Sequence, residues 1–473
     1  MNLKFYVIAC IVFLSGCAEY SLTGCRTYDN IGKNLSAADN SCKQQKSIKI
    51  APPALKVRKN VAPKKESVTE IKLIDQIISH YTKGINRGFI STQEAYEKRY
   101  FKPWRLKGLD ISKEDAMWAH TTFNAQNSYG ENLLPREKSF FDEMLENANF
   151  DAFSTLNQRA ISLRELNVRA FPTKRPLLRD PKSVGEGFPF DYLQNTTVAP
   201  NKPLLISHYS KDRAWVFVES SFAYGWVESR NIAIIEKKYT DIWQEAQQLF
   251  FIKENEPIFT TENDFLFKSK VGLMLPIIQE QKGSFKILTI SNYKHSKAYY
   301  IQSVVSKDIV HKGIMEFNAK NIETILSEVS KVNYGWGGIY GQRDCSSLLR
   351  DFFAPFGVWL PRNSSQQAKV GKVISLEGLS DDEKLAAIKK EALPFETLLY
   401  KKGHIVLYVG TFNGKVVVFH NTWGVKTKHD GVEGRYLIGK PIFSTLELGE
   451  ELDDFDSESS LLKEIESMNI LTL

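Results

Sequence analysis

Between residues 161 and 310 the chain is cut into short β-rich runs by clusters of turn residues. No other stretch limits the choice of fold as much. The runs include Leu204-Leu-Ile-Ser207, Ala214-Trp-Val-Phe-Val218, Gly225-Trp-Val227 and Ile232-Ala-Ile-Ile235. Gly272-Leu-Met-Leu-Pro-Ile-Ile278, Phe285-Lys-Ile-Leu-Thr289 and Ala298-Tyr-Tyr-Ile-Gln302 follow. Strands this short, at this spacing, close into small barrels, and there are enough of them for two. We place one at 161–237 and the other at 238–312.

The flanks differ. Residues 71–160 read as helical: Ile71, Leu73, Ile74, Ile77 and Ile78 recur with helical spacing. Further helices are expected over Lys113–Ala125, capped by Asp110 or Ser112, and over Arg136–Ala148. Residues 313–446 begin helical and end in strands, an α+β order. The expected fold is therefore multidomain α+β. A length of 473 residues suits it, at roughly 100–200 residues per domain.

The net charge of +7 invites a nucleic-acid reading, but its distribution argues against one. Residues 43–65 carry eight Lys or Arg and no acid, whereas 447–466 carry nine acids and one Lys. These cancel, and no basic stripe interleaved with aromatics remains in the folded part. Residues 18–70, with Pro52, Pro53 and Pro63, read as a flexible basic tether. Residues 447–473 read as a frayed acidic tail with one amphipathic turn around Leu461, Leu462 and Ile465.

The first 17 residues read as an export signal. Lys4 precedes an apolar stretch, Phe5 to Leu14, that is too short to span a membrane. It ends in Leu14-Ser15-Gly16-Cys17, which resembles the bacterial lipobox. That resemblance implies lipid on Cys17, and Ala18 after it implies the outer membrane. The rival reading is a plain secretory signal that contains a Cys. In an oxidising compartment Cys25 and Cys42 either pair as a disulfide or stay apart. Cys345 is then alone in the remaining chain. It is either an inert buried residue or a reactive thiol.

Its neighbours favour reactivity. Apolar residues follow at Leu348, Leu349, Phe352 and Phe353, a helical spacing, and Pro355 should stop that helix. Asp344 and Ser346 offer capping chemistry at its front. Cys345 thus falls in the first turn, where free N–H groups and the helix dipole stabilise a thiolate. A thiol nucleophile also needs a base and a group to hold it. His404 opens the run Gly403-His-Ile-Val-Leu-Tyr-Val-Gly410, and His420 ends Lys415-Val-Val-Val-Phe-His420. A hairpin centred on Phe412 would set the two side by side, about 5 Å between Cβ atoms. A tight Asn413-Gly414 turn would instead pair His404 with Trp423 and separate them. The rival readings are cross-strand coincidence or a metal site. No third ligand at zinc spacing is nearby, so neither a metal nor a cofactor is expected.

Together these residues resemble a family. Tyr334-Gly-Trp-Gly-Gly338, Asp344-Cys-Ser-Ser-Leu348, Gly357-Val-Trp-Leu-Pro-Arg362-Asn-Ser-Ser-Gln-Gln367, the His404 run and Phe419-His-Asn-Thr-Trp423-Gly424 resemble the ordered motifs of NlpC/P60 cysteine peptidases. Trp215-Val-Phe-Val218 with Tyr224-Gly-Trp-Val227 resembles bacterial SH3-type (SH3b) domains. The whole arrangement is similar to cell-wall γ-D-glutamyl-L-diamino-acid endopeptidases with paired SH3b domains. Many relatives carry Pro-Gly-Asp before the catalytic His, where this chain has Lys401-Lys402-Gly403, and Ser347 stands where Gly is common.

The resemblance implies a papain-like domain at 313–446, with Cys345 as nucleophile, His404 as base and His420 orienting it. Cys345 N–H and Tyr334 would face the oxyanion. Asp344, beside Ser346, would hold the ammonium of an L-Ala at the substrate's amino end. Arg362 would meet a substrate carboxylate, and Tyr224 of the first barrel would help wall the cleft. For Asp344 the competing reading is helix capping, and for Arg362 a structural ion pair. The implied partner is the peptidoglycan stem peptide, met from a lipid-anchored position in the periplasm-facing envelope. Two rivals stand beside this expectation: an inert wall-binding scaffold using the SH3b domains, and acyl-transfer or amidase chemistry by the same residues.

Overall fold

A computed structural model describes residues 70–294 and 297–471. The export signal, Cys17, Cys25, Cys42 and nearly all of the tether lie outside the described residues. The chain is mixed α and β: short helices, then a strand-rich middle, then an α+β domain.

The helical N-terminal region departs from the expected periodicity. Residues 71–77 form neither helix nor strand, and the first helix covers only Ile78–Thr82. Tertiary contact overrides the local pattern here. The Gln76 amide donates to the Phe443 carbonyl at 2.8 Å and accepts from the Phe443 N–H at 3.0 Å. Gln76 thus covers the outer strand of the C-terminal sheet, whose unpaired groups would otherwise invite another strand. The expected helix over 113–125 is broken at Met117 into Lys113–Ala116 and Trp118–Thr122. The Ser112 hydroxyl caps the first piece by accepting from the Asp115 N–H.

The middle strands fall into two sets. The first comprises 158–162, 166–169, 194–198, 203–209, 215–219, 224–228 and 232–234. The second comprises 248–251, 274–281, 284–294, 297–306 and 310–312, with a small hairpin at 257–259 and 265–268. One parallel step, Lys297 against Ile234, joins their ladders into a twelve-stranded sheet. The apolar runs lie in strands that bury their side chains, on both faces at 203–208 and 215–219. Ile161, Val198, Leu204 and Ile206 are fully enclosed in the first set, as are Phe250, Met274 and Ile287 in the second.

In the C-terminal domain, helix Cys345–Phe353 packs on a six-stranded antiparallel sheet. Leu348, Leu349, Phe352 and Phe353 turn inward from it. The acidic tail is not frayed. It runs through a short helix, Leu461–Glu464, into strand Ser467–Ile470. That strand is inserted between 372–375 and 397–401, inside the sheet. Met468 and Leu471 are buried, and the Asn469 amide bonds the carbonyls of Gln367 and Val370. Apolar burial and a full ladder outweigh the repulsion of the preceding acids.

Candidate active site

The nucleophile candidate is positioned by a helix start. Asp344 is the N-cap: its carboxylate accepts the Ser347 N–H at 2.9 Å, and the Ser347 hydroxyl accepts the Asp344 N–H at 2.9 Å. This reciprocal box places Cys345 in the first turn. Cys345 is 7% exposed. Burial, with the Asp344 carboxylate adding, pushes it up to about 12, against the N–H groups of Ile405 and Ser346 and the Arg362 charge. The resting site therefore holds a thiol, and burial outweighs the helix terminus that would favour a thiolate.

The histidines meet by a route the hairpin rules did not supply. The turn is the tight Asn413-Gly414 type, pairing Phe412 with Lys415 and Gly410 with Val417. Carried on unbroken, it would separate the two rings. A bulge between Tyr408 and Gly410 shifts the register, so that Leu407 faces Phe419. Continued to the strand start, this sets His404 on the same face as His420, one step diagonal. The rings lie 5.1 Å apart between centroids, with His404 Nε2 and His420 Nδ1 at 2.9 Å.

Hydrogen-bond direction fixes the tautomers. The Ser444 hydroxyl donates to the Thr445 carbonyl at 2.9 Å, so its oxygen must accept from His420 Nε2–H at 3.0 Å. His420 Nδ1 is then an acceptor and takes the Nε2–H of His404. Nδ1 of His404 is left with a free lone pair. Burial lowers His404 to about 3, with Lys401 adding, and pulls His420 well below its ordinary value, so both rings stay neutral.

The other expected site residues divide into two places. Tyr334 lines a cleft of about 380 Å³ with His404, His420 and Trp423. Tyr224 lines a different cleft of about 490 Å³, shared with Arg362. Asp344 and Arg362 hold each other rather than standing free for substrate. Arg362 Nη2 donates to Asp344 Oδ2 at 2.5 Å, Nη1 to the Ser346 hydroxyl at 2.9 Å and Nε to the Thr196 hydroxyl at 2.6 Å. Asp344 stays ionised through this pairing, which overcomes its burial. The helix-capping reading of Asp344 and the ion-pair reading of Arg362 thus describe how both side chains sit, in one buried pair tied to the first strand set. A larger cleft of about 790 Å³, lined by Arg169, Asp191 and Tyr340, holds neither Cys345 nor the histidines.

The Tyr334–Gly338 motif also faces the first strand set. A side chain at Gly337 would meet the Gln194 carbonyl at 2.3 Å, and one at Gly338 the Thr197 hydroxyl at 2.7 Å; both have positive φ. Sequence reasoning missed Ser444, Arg435 and the wall formed by Leu448, Phe455 and Leu461. Ser444 required the sheet register. The tail's acidic composition hid its apolar side.

The NlpC/P60 family model matches residues 331–438, which hold Cys345, His404 and His420. This is an NlpC/P60 domain. Two SH3b domains precede it, matched at 176–228 (SH3b1 type) and 237–282 (SH3b2 type). The model of the N-terminal stabilising domain of NlpC/P60 proteins matches 6–153. The chain is 28% identical over 141 residues to a γ-D-glutamyl-L-lysine dipeptidyl-peptidase of Bacillus subtilis, covering 29% of this chain and 42% of that one. It is 26% identical over 164 residues to the bifunctional muramidase/DL-endopeptidase CwlT of the same organism, covering 34% and 42%. The match thus spans less than half the length of either curated relative. An NlpC/P60 endopeptidase from Photobacterium damselae subsp. piscicida superimposes with a TM-score of 0.71 at 24% identity, over 86% of this chain and 99% of that one. The chain shares that fold.

Proposed function

We propose that the chain is a cysteine endopeptidase that cuts the γ-D-glutamyl to L-diamino-acid bond, with meso-diaminopimelate as the diamino acid, in peptidoglycan stem peptides. It would act in the cell envelope, held there by lipid on Cys17. The observation that carries the reading is the one-way hydrogen-bond chain Thr445–Ser444–His420–His404, which leaves His404 Nδ1 as an acceptor on the strand whose next residue, Ile405, turns its N–H to the Cys345 sulfur.

Both partners rest neutral, so proton transfer accompanies attack. The Cys345 proton passes to His404 Nδ1 as the sulfur adds to the γ-glutamyl carbonyl. The charge on the carbonyl oxygen falls to the Cys345 N–H, an unpaired donor of the helix start, with Tyr334 at the rim. His420 Nδ1 accepts the hydrogen bond of the imidazolium so formed. The C–N bond breaks as His404 returns the proton to the leaving amine. Water, giving a proton to His404, then releases the thioester as a carboxylate and restores the thiol. The Asp344–Arg362 pair gives the acyl side a fixed, charge-balanced wall.

Digestion of purified muropeptides tests this. Wild-type protein should release diaminopimelate-containing fragments, and Cys345→Ala should release none. Full activity in the Ala variant sinks the proposal. The buried thiol favours one rival, a scaffold with an occluded site. Retention on sacculi without turnover of sacculi or of soluble tripeptides would support it.

A further inference from the structure

The reaction proposed above gives the cleft a direction. The ring that protonates the leaving amine must touch it, so whatever follows the scissile nitrogen lies on the His404 side. His404 and His420 line the 380 Å³ cleft already described, which is large enough for a diamino acid. Its far wall comes from the C-terminal segment, through Leu448, Phe455 and Glu464. That segment lies beyond the residues matched to the NlpC/P60 family model.

The lining carries three cations, Lys401, Lys426 and Arg435, against one carboxylate, Glu464. Two of the cations are engaged. Lys401 pairs with Glu464, and Lys426 pairs with Glu433 at 2.7 Å and Asp456 at 3.5 Å. Arg435 has no ion-pair partner among the described residues, and Glu433, which feels its charge, is already held by Lys426. Its guanidinium lies against Gly185, where a side chain would come within 2.9 Å of Nε. Gly185 has φ of +80°, a conformation that glycine adopts without strain. The loop thus leaves the guanidinium room at the cleft rim.

We propose that this cleft is a leaving-group subsite for a carboxylate-bearing amine, with Arg435 as the residue that binds the carboxylate. The inference rests on the proposed reaction. The carboxylate could be the one beside the leaving nitrogen or the one at the far end of diaminopimelate; the shared chemistry is a planar oxyanion meeting a planar guanidinium.

The test uses the full-length protein and three tripeptides. All begin L-Ala-γ-D-Glu, and they end in meso-diaminopimelate, its C-terminal α-carboxamide, or L-lysine. With the first, Arg435→Gln should lower kcat/KM about 10–100-fold through KM, with kcat within about twofold. Arg435→Lys should recover part of the loss. If Arg435 reads the near carboxylate, wild type discriminates against the carboxamide and the Gln variant does not. If it reads the far one, the lysine peptide shows that pattern instead. Unchanged ratios among the three substrates in Arg435→Gln would overturn this proposal and leave the reaction intact. No turnover of any peptide by wild type would overturn both.

Discussion

His404 donates to His420 across 2.9 Å although the two-residue turn between their strands would, unaided, send the rings to opposite faces of the sheet. One bulge beside Val409 restores the pairing. The rings then share a face, and Ser444 sets which nitrogen of each carries hydrogen.

Ser444 is accordingly a positioning residue. Ser444→Ala should free His420 to adopt the other tautomer and lower kcat about 10-fold while KM stays near wild type. Ser444→Thr should retain most of kcat. Steady-state kinetics with a soluble tripeptide checks this. Equal losses in the Ala and Thr variants would point to packing alone.

The titration of the site gives a second expectation. Because burial lifts the Cys345 thiol to about 12, the thiolate absorbance near 240 nm should be absent at pH 7 and appear only in strongly alkaline solution. A difference titration against Cys345→Ala reads it directly. A thiolate signal at neutral pH would show an ion pair instead. Burial also holds His404 near 3 and His420 below its ordinary value. The unfolded chain, with His near 6.5, then binds more protons below that pH than the folded one. These two residues therefore cost stability progressively as pH falls below about 6.5. Replacing either by Asn should flatten that loss in thermal melts between pH 7 and pH 4.

Arg343 is fully enclosed and holds Glu254 at 2.5 Å and Asp351 at 2.8 Å, linking the second strand set to the Cys345 helix. Arg343→Met would leave the buried Glu254 carboxylate without its cation and Asp351 with Arg350 alone. Unfolding free energy should fall by about 3–5 kcal/mol, the usual cost of breaking one side of a buried pair. Denaturant titration measures it. A change under 1 kcal/mol would show that the acids find other partners.

Truncation after residue 446 would remove Ser467–Ile470 from within the sheet. It should open Leu399, Met468's neighbour across the ladder, to water and abolish cooperative unfolding. A truncated chain that melts like the parent would contradict the inserted strand.

What could be read from the sequence was local. Asp344 was legible as the cap of the Cys345 helix, although the residue that answers it is Ser347 rather than Ser346. The middle strands announce themselves as short β-rich runs between turn clusters, and SH3b and NlpC/P60 motifs keep their order. What could not be read depends on distant partners. Residues 71–77 look helical but follow a sheet edge through Gln76. The sequence leaves Asp344 between substrate contact and helix cap, and Arg362 between substrate contact and ion pair; that the two hold each other depends on the fold. Nothing in Ser467-Met-Asn-Ile470, behind nine acids, signals a strand with neighbours on both sides. The bulge beside Val409 leaves no mark in composition, yet it decides whether the two rings can meet.

The most direct test of the account is intact-protein mass spectrometry after acid quenching during turnover of L-Ala-γ-D-Glu-meso-diaminopimelate. A transient L-Ala-γ-D-Glu thioester adduct is expected, mapping to the peptide that contains Cys345 and absent from Cys345→Ala. Product formation at the wild-type rate by Cys345→Ala, with no adduct on the wild-type protein, would contradict it.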